Sequence, residues 1–125
     1  MRYLIVDDNE SFLEAARALL EREGVDVAGV AMTTAEALAE AQRLRPDVVL
    51  VDISLGPESG FELVRRLVAD DLAQEGTVVL ISTCAEEDVA DLVAESPAAG
   101  FVAKSELSAE AIRRVVDGAS GRPGT

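Results

Sequence analysis

Five short apolar runs punctuate the chain: Tyr3–Val6, Val25–Val30, Val48–Val51, Val78–Ile81 and Phe101–Ala103. Continuous runs of Val, Ile and Leu suit strands covered on both faces, as in a parallel sheet. The longer stretches between them carry apolar residues at helical spacing. Phe12, Ala16, Leu19 and Leu20 form the first stripe, ended by Gly24. Thr33 with Glu36 is a capping box that opens the second helix, and Pro46 closes it. Phe61, Val64, Leu67, Val68 and Leu72 stripe the third. Val89, Leu92 and Val93 mark the fourth, whose first turn holds Glu86, Glu87 and Asp88, where acids favour the positive helix end. Ala111, Ile112, Val115 and Ala119 mark the fifth, behind Ser108 as its cap. Strand–helix pairs in unbroken succession predict an α/β fold with a five-stranded parallel sheet.

A length of 125 residues suits one domain with one core, and apolar residues at 49% are enough to fill it. We place that domain at 1–119 and read 120–125 as a flexible tail. The stretch "GASGRPGT" from Gly118 has the composition of a frayed terminus, a linker stub or a cloning remnant. A net charge of −13 argues against a nucleic-acid surface and suits cations or basic patches on partners. A lone cysteine, Cys84, excludes an intramolecular disulfide and fits a reducing cytoplasm. No apolar run has the length of a membrane helix or a signal peptide, so no membrane partner is expected. With no histidine, a metal site must use oxygen ligands, which favours Mg²⁺, Mn²⁺ or Ca²⁺ over zinc.

Four of the runs end in polar groups. Asp7 and Asp8 follow the first, Asp52 the third, Ser82 and Thr83 the fourth, and Lys104 the fifth. Ligand sites of open parallel sheets form at that carboxyl edge, where the strand order reverses. With strand order 3-2-1-4-5, Asp7 and Asp52 would stand about 10 Å apart, two interstrand spacings. With the doubly wound order 2-1-3-4-5 they sit on adjacent strands at the switch point. Only the second order gives the acids, Ser82 and Lys104 a shared task, and we adopt it. Three close carboxylates repel one another unless protonated or neutralised by a cation. Mg²⁺ uses one or two carboxylates, water and a phosphoryl oxygen. Lys104 adds a point charge for a phosphoryl group. The chemistry expected is metal-assisted phosphoryl transfer to a carboxylate, with Asp52 as nucleophile.

The set "VDD", "VDISLGPESG", "ISTC" and "FVAKSE" resembles the receiver domain of two-component response regulators, over about residues 2–117. The resemblance implies a flavodoxin-like fold and a phosphorylation-dependent signalling switch rather than an enzyme with turnover. Asp52 would accept a phosphoryl group from a sensor histidine kinase or a small donor such as acetyl phosphate. Asp7, Asp8, Asp52 and the backbone carbonyl of Ser54 would hold Mg²⁺. Ser82 would be the switch hydroxyl, Lys104 the phosphoryl-pairing lysine and Phe101 the switch aromatic. The face of helix four, strand five and helix five would bind an output protein or a second copy of the chain, with no direct nucleic-acid contact by this domain.

The sequence departs from the family pattern at several points. Gly56–Pro57 reverses the usual order in the loop after Asp52. Ser105 replaces the common proline after Lys104, so a trans bond is expected there. Phe101 lacks a tyrosine hydroxyl, and Pro97 sits where glycine is common. Two rivals are weighed against the switch. A phosphohydrolase with an aspartyl nucleophile usually has a second aspartate two residues on, and here that position is Ser54. A degenerate receiver that binds partners without phosphorylation would bind equally well after Asp52→Ala. The last helix ends about eight residues before the final residue, which suits either a stand-alone regulator or a receiver excised from a longer chain.

Overall fold

The computed structural model describes residues 1–120, apart from the side chains at 75, 119 and 120. In chain order it contains β1 (Arg2–Val6), α1 (Glu10–Arg22), β2 (Asp26–Ala31), α2 (Thr34–Leu44), β3 (Val48–Asp52), α3 (Gly60–Ala69), β4 (Val78–Ser82), α4 (Glu86–Glu95), β5 (Gly100–Ala103) and α5 (Ala109–Ser120). The sheet order is β2-β1-β3-β4-β5, and every neighbouring pair is parallel. This is the parallel α/β sheet that the alternating pattern predicts, in the doubly wound order adopted above, and the flavodoxin-like fold that the family resemblance implies. The tail expected at 120–125 begins inside α5 at Ser120, and positions 121–125 lie outside the described residues.

Alternation along the strands divides the core in two. Leu4 and Val6 of β1, Val49 and Val51 of β3, and Val78 and Leu80 of β4 pack with Ala37, Ala41, Leu63, Val64, Leu67 and Val89 of α2, α3 and α4. Tyr3 and Ile5, Val48 and Leu50, and Val79 and Ile81 pack with Leu13, Ala16, Leu20, Ile112 and Val116 of α1 and α5. Both faces of β3 and β4 are therefore dry, which is why those strands read as unbroken apolar runs.

Local signals explain the helix ends. Asn9 caps α1 by accepting from the Phe12 N–H at 3.0 Å. Gly24 follows the helix in the left-handed region, at φ +87°, as a glycine does best. Thr33 accepts from Glu36 N–H at 3.1 Å, while the Glu36 carboxylate reaches back to Met32 N–H rather than to Thr33 itself. Ser108 accepts from Ala111 N–H and so caps α5.

Three of the helix stripes need correcting. Leu72 lies beyond α3, which ends at Ala69; its N–H instead bonds the Leu67 carbonyl in the turn that closes the helix. Leu92 is 50% exposed, because α4 docks through Val89 and, less deeply, Val93. On α5 the deepest residues are Ala109, Ile112 and Val116, whereas Ala111 and Val115 flank them and the Ala119 side chain is outside the described set. Among the described residues no helix is long and apolar enough to cross a membrane.

Candidate functional site

β1 and β3 run side by side with Val6 opposite Val51, so the next residues, Asp7 and Asp52, reach the same edge of the sheet, Asp52 as the last residue of β3. They also continue one alternation. Tyr3, Ile5 and Asp7 share parity, as do Val48, Leu50 and Asp52, and Val102 and Lys104. The apolar members of these sets face α1 and α5. Three charged groups on adjacent or next-adjacent strands are thus delivered to one corner of the carboxyl edge. Carboxylate oxygens of Asp7, Asp8 and Asp52 lie within 4.8 Å of one another. Asp7 is fully buried and Asp52 is 7% exposed, whereas Asp8 is open to solvent.

One cation reaches into this cluster. Lys104 Nζ lies 2.6 Å from Asp7 Oδ2 and 3.1 Å from Asp52 Oδ2. The contact with Asp52 is a well-aligned hydrogen bond. The contact with Asp7 is a close ion pair without that alignment, and Asp7 Oδ2 is the buried side-chain oxygen left without a hydrogen-bond partner among the described residues. The remaining oxygens are tied to backbone: Asp7 Oδ1 accepts from Asn9 N–H at 2.9 Å, and Asp52 Oδ1 from Ser54 N–H at 3.2 Å. Burial pushes the Asp52 carboxyl above its ordinary pKa, and the negative charge of Asp7 adds to the rise; the Ser54 N–H and Lys104 oppose it without cancelling it. Burial alone would lower the Lys104 pKa, but Asp7 and Asp52 outweigh that and raise it.

The donor set fits a hard divalent ion. All the side-chain donors are oxygens, and the buried Asp7 Oδ2 is held by its ion pair with Lys104 rather than by an aligned hydrogen bond. With all three carboxylates ionised, the Lys104 ammonium leaves two negative charges uncompensated by the ion pairs among the described residues, the charge of one divalent cation. The acidic cluster of this domain could therefore bind a metal.

The loop after Asp52 is built to hold its backbone close. Ser54–Leu55 pairs with Glu58–Ser59 as a small antiparallel hairpin, with Gly56 at φ +65° and Pro57 at its tip. The Glu58 carboxylate accepts from Thr34 N–H at 2.9 Å and so ties the hairpin to the first turn of α2. Gly60 N–H bonds the Ile53 carbonyl at 2.9 Å. A Cβ on Gly60 would run into the Asp52 carbonyl oxygen and lie 2.8 Å from Ile53 Cα. Those atoms are backbone and cannot rotate away. Gly60→Ala is therefore expected to lower the unfolding free energy by about 2–3 kcal/mol, read by denaturant titration, whereas Gly56→Ala should cost about 1 kcal/mol, from its left-handed φ of +65° rather than from a clash, since the nearest atom is Asp8 Oδ2 at 3.5 Å.

On the next strand Ser82 is buried at 4% exposure while Thr83 is exposed, so Ser82 is the hydroxyl at the sheet edge. Ser82 Oγ accepts from Cys84 N–H at 3.0 Å. Cys84 itself is exposed. Phe101 is 6% exposed and packs with Leu80 and Val89 beneath α4. The Lys104–Ser105 bond is trans, since no described peptide is cis. Phe12 was legible in the sequence only as part of a core stripe. Its ring centroid in fact lies 4.3 Å from Lys104 Nζ.

Comparison with known proteins agrees with this geometry. Residues 3–117 match the response regulator receiver domain family. Response regulator GacA of Pseudomonas viridiflava is 30% identical over 116 residues, covering 92% of this chain and 53% of that protein. DNA-binding response regulator MtrA of Mycobacterium tuberculosis is 34% identical over 116 residues, covering 91% of this chain and 48% of that protein. The chain thus spans about half the length of the curated relatives it matches. Among solved structures, the signal receiver domain of NarL from Mycobacterium tuberculosis superposes with a TM-score of 0.79 at 29% identity, with 97% of each chain covered. A Burkholderia pseudomallei response regulator, solved with a phosphorylated aspartic acid, calcium ion and citrate, superposes with a TM-score of 0.80 at 28% identity, covering 96% of this chain and 69% of that one. An open parallel sheet carrying acids and a lysine at its switch point defines the class. Within it, the chain belongs to the response regulator receiver domains, the signalling modules of two-component systems.

Proposed function

We propose that this domain is a phosphorylation-dependent switch in which Asp52 accepts a phosphoryl group from a sensor histidine kinase with the help of Mg²⁺. The observation that carries the reading is the convergence of Asp7, Asp8, Asp52 and Lys104 on one corner of the sheet edge. Asp7, Asp8, Asp52 and the Ser54 carbonyl would hold the ion. When bound, it would neutralise carboxylate and phosphoryl charge and so let the two anions meet. Transfer forms an O–P bond at Asp52 and breaks the P–N bond of a phosphohistidine, or the P–O bond of acetyl phosphate. Asp52 is held for attack by the Ser54 N–H and by Lys104. The Lys104 ammonium supplies positive charge where phosphoryl oxygens gather. Ser82 accepts from Cys84 N–H through its oxygen and keeps its hydroxyl proton to donate to the phosphoryl group.

The output would run through the face of α4, β5 and α5. A groove there is lined by residues of all three elements, among them Glu87, Phe101 and Arg114. Phe101 forms its floor on β5, the place of a switch aromatic, and Ser82 ends the neighbouring strand. A phosphoryl group adds charge beside Ser82 and biases this face toward one of two arrangements. An output protein, or a second copy of the chain, would read the change. The DNA binding named for MtrA belongs to that protein; for this domain a protein partner is the reading that suits a charge of −13. Incubation with acetyl phosphate and Mg²⁺ is expected to add one phosphoryl group, mapped to Asp52 by peptide mass spectrometry and abolished by chelator. Unmodified protein, under conditions that label a related receiver, would sink the proposal.

A further inference from the structure

We infer that Phe12 is a positioning residue for Lys104, holding the ammonium against Asp52 with the face of its ring. The inference rests on the phosphoacceptor reading above and deepens it. Three things surround Nζ: Asp7 Oδ2 at 2.6 Å, Asp52 Oδ2 at 3.1 Å and the Phe12 ring centroid at 4.3 Å. The lysine side chain is only 14% exposed. An ammonium at that distance from an aromatic face is attracted by the ring quadrupole, the more so where water is scarce. The ring also forms an apolar wall, and a drier pocket strengthens the pull of Lys104 on both carboxylates.

The turn that places the ring also places Asp7. Asp7 Oδ1 accepts from Asn9 N–H at 2.9 Å, and Asn9 Oδ1 accepts from Phe12 N–H at 3.0 Å. Asp7, Asn9 and Phe12 are therefore one hydrogen-bonded unit at the start of α1. A shift of that turn moves the carboxylate and the ring together, so the socket for Nζ keeps its shape. Lysine needs such a socket. Its stem carries four flexible methylenes, and its ammonium is strongly hydrated, so without a wall it would trade a carboxylate for water. The alternative is that Phe12 merely fills core beside α1, where it packs against the apolar cluster. In that case any apolar side chain of similar size would serve.

Three versions of this 125-residue chain separate the two accounts: wild type, Phe12→Leu, which keeps apolar bulk, and Phe12→Tyr, which keeps the ring. The first readout is the NMR shift of the Lys104 Cε protons in metal-free buffer. Ring current should move them upfield in wild type and Phe12→Tyr, and the displacement should vanish in Phe12→Leu. The second readout is the rate of Asp52 labelling by acetyl phosphate with Mg²⁺. Phe12→Leu should label about fivefold more slowly, and Phe12→Tyr within about twofold of wild type. Wild type that labels normally, beside Phe12→Leu at the same rate or Phe12→Tyr slowed as much as Phe12→Leu, overturns the role of the ring alone. Lys104 shifts that are the same in all three proteins overturn it as well. Wild type that takes no label sinks the phosphoacceptor reading instead, and with it any part for Phe12 in transfer.

Discussion

Lys104→Met lowers the unfolding free energy by about 3 kcal/mol in chelator-treated buffer, the cost of stranding buried charge. Methionine keeps most of the stem volume, so packing is little changed. What is lost is the cation 2.6 Å from a fully buried Asp7 and 3.1 Å from Asp52. The melting midpoint should fall by about 10 °C for a domain of this size. Saturating Mg²⁺ should return part of the loss in the variant, because it restores positive charge to the same corner. The pH dependence has a definite sign. Asp7 and Asp52 raise the Lys104 pKa against the opposing effect of burial. Its contribution is complete below the ordinary lysine value and fades only as pH rises through the raised one. Across neutral pH the gap between wild type and variant should therefore be flat. A loss below about 1 kcal/mol in chelator, measured by denaturant titration, would show that the ion pair matters little.

Asp52→Asn has opposite effects on stability and on function. It should abolish labelling by acetyl phosphate, with a fall in rate of more than about a hundredfold, because an amide is no nucleophile toward phosphorus. In chelator it should be more stable than wild type. Burial and the charge of Asp7 raise the Asp52 pKa, so the ionised carboxylate is a burden that the apo fold carries. An asparagine can still accept the Ser54 N–H. For wild type, the favourable contribution of protonated Asp52 is complete below the ordinary carboxylate value and is lost as pH rises through the raised one. The advantage of the variant should open across that window and stay open at neutral pH. Added Mg²⁺ should reverse the ranking, since the ion needs the carboxylate. Thermal melts of both proteins, with chelator and with Mg²⁺, give all four values.

Much of this site can be read along the chain. Val6 and Val51 end adjacent strands, and the residues after them are Asp7 and Asp52. The strand order 2-1-3-4-5, the one that gives these acids a shared task, is the order the sheet adopts. Their common parity with Ile5, Leu50 and Val102 also says which face they share. The strands run one residue past their apolar runs, to Asp52 and Ser82, because the polar residue that closes each still pairs within the sheet.

Other features were not legible, for identifiable reasons. Leu92 fits a helical stripe in α4 as well as Val93 does, and only the docking angle of the helix decides between them. Val115 and Val116 pose the same ambiguity in α5; Val115 lies over Gly100, where an added Cβ would come 2.7 Å from its Cγ1. Phe12 was hidden because an aromatic at helical spacing reads as core, and it does pack there with part of its surface. Its contact with Lys104 joins residues 92 positions apart, which no local pattern encodes. The Glu58–Thr34 bond is hidden in the same way, since the hairpin that presents Glu58 depends on Gly56 and Pro57 at its tip.

A Mg²⁺ titration of the chelator-treated protein reaches the central claim most directly, that Asp7, Asp8 and Asp52 form one site for one ion. Calorimetry and melting should both show a single ion per chain, with stabilisation of about 2.7 kcal/mol once Mg²⁺ is a hundredfold above its dissociation constant. Asp8→Asn is the decisive control, because Asp8 is exposed and its loss should leave the fold intact; the account predicts a Mg²⁺ affinity at least about tenfold weaker in that variant. A midpoint that does not move with Mg²⁺ through the millimolar range, or an equal response in Asp8→Asn, would contradict it.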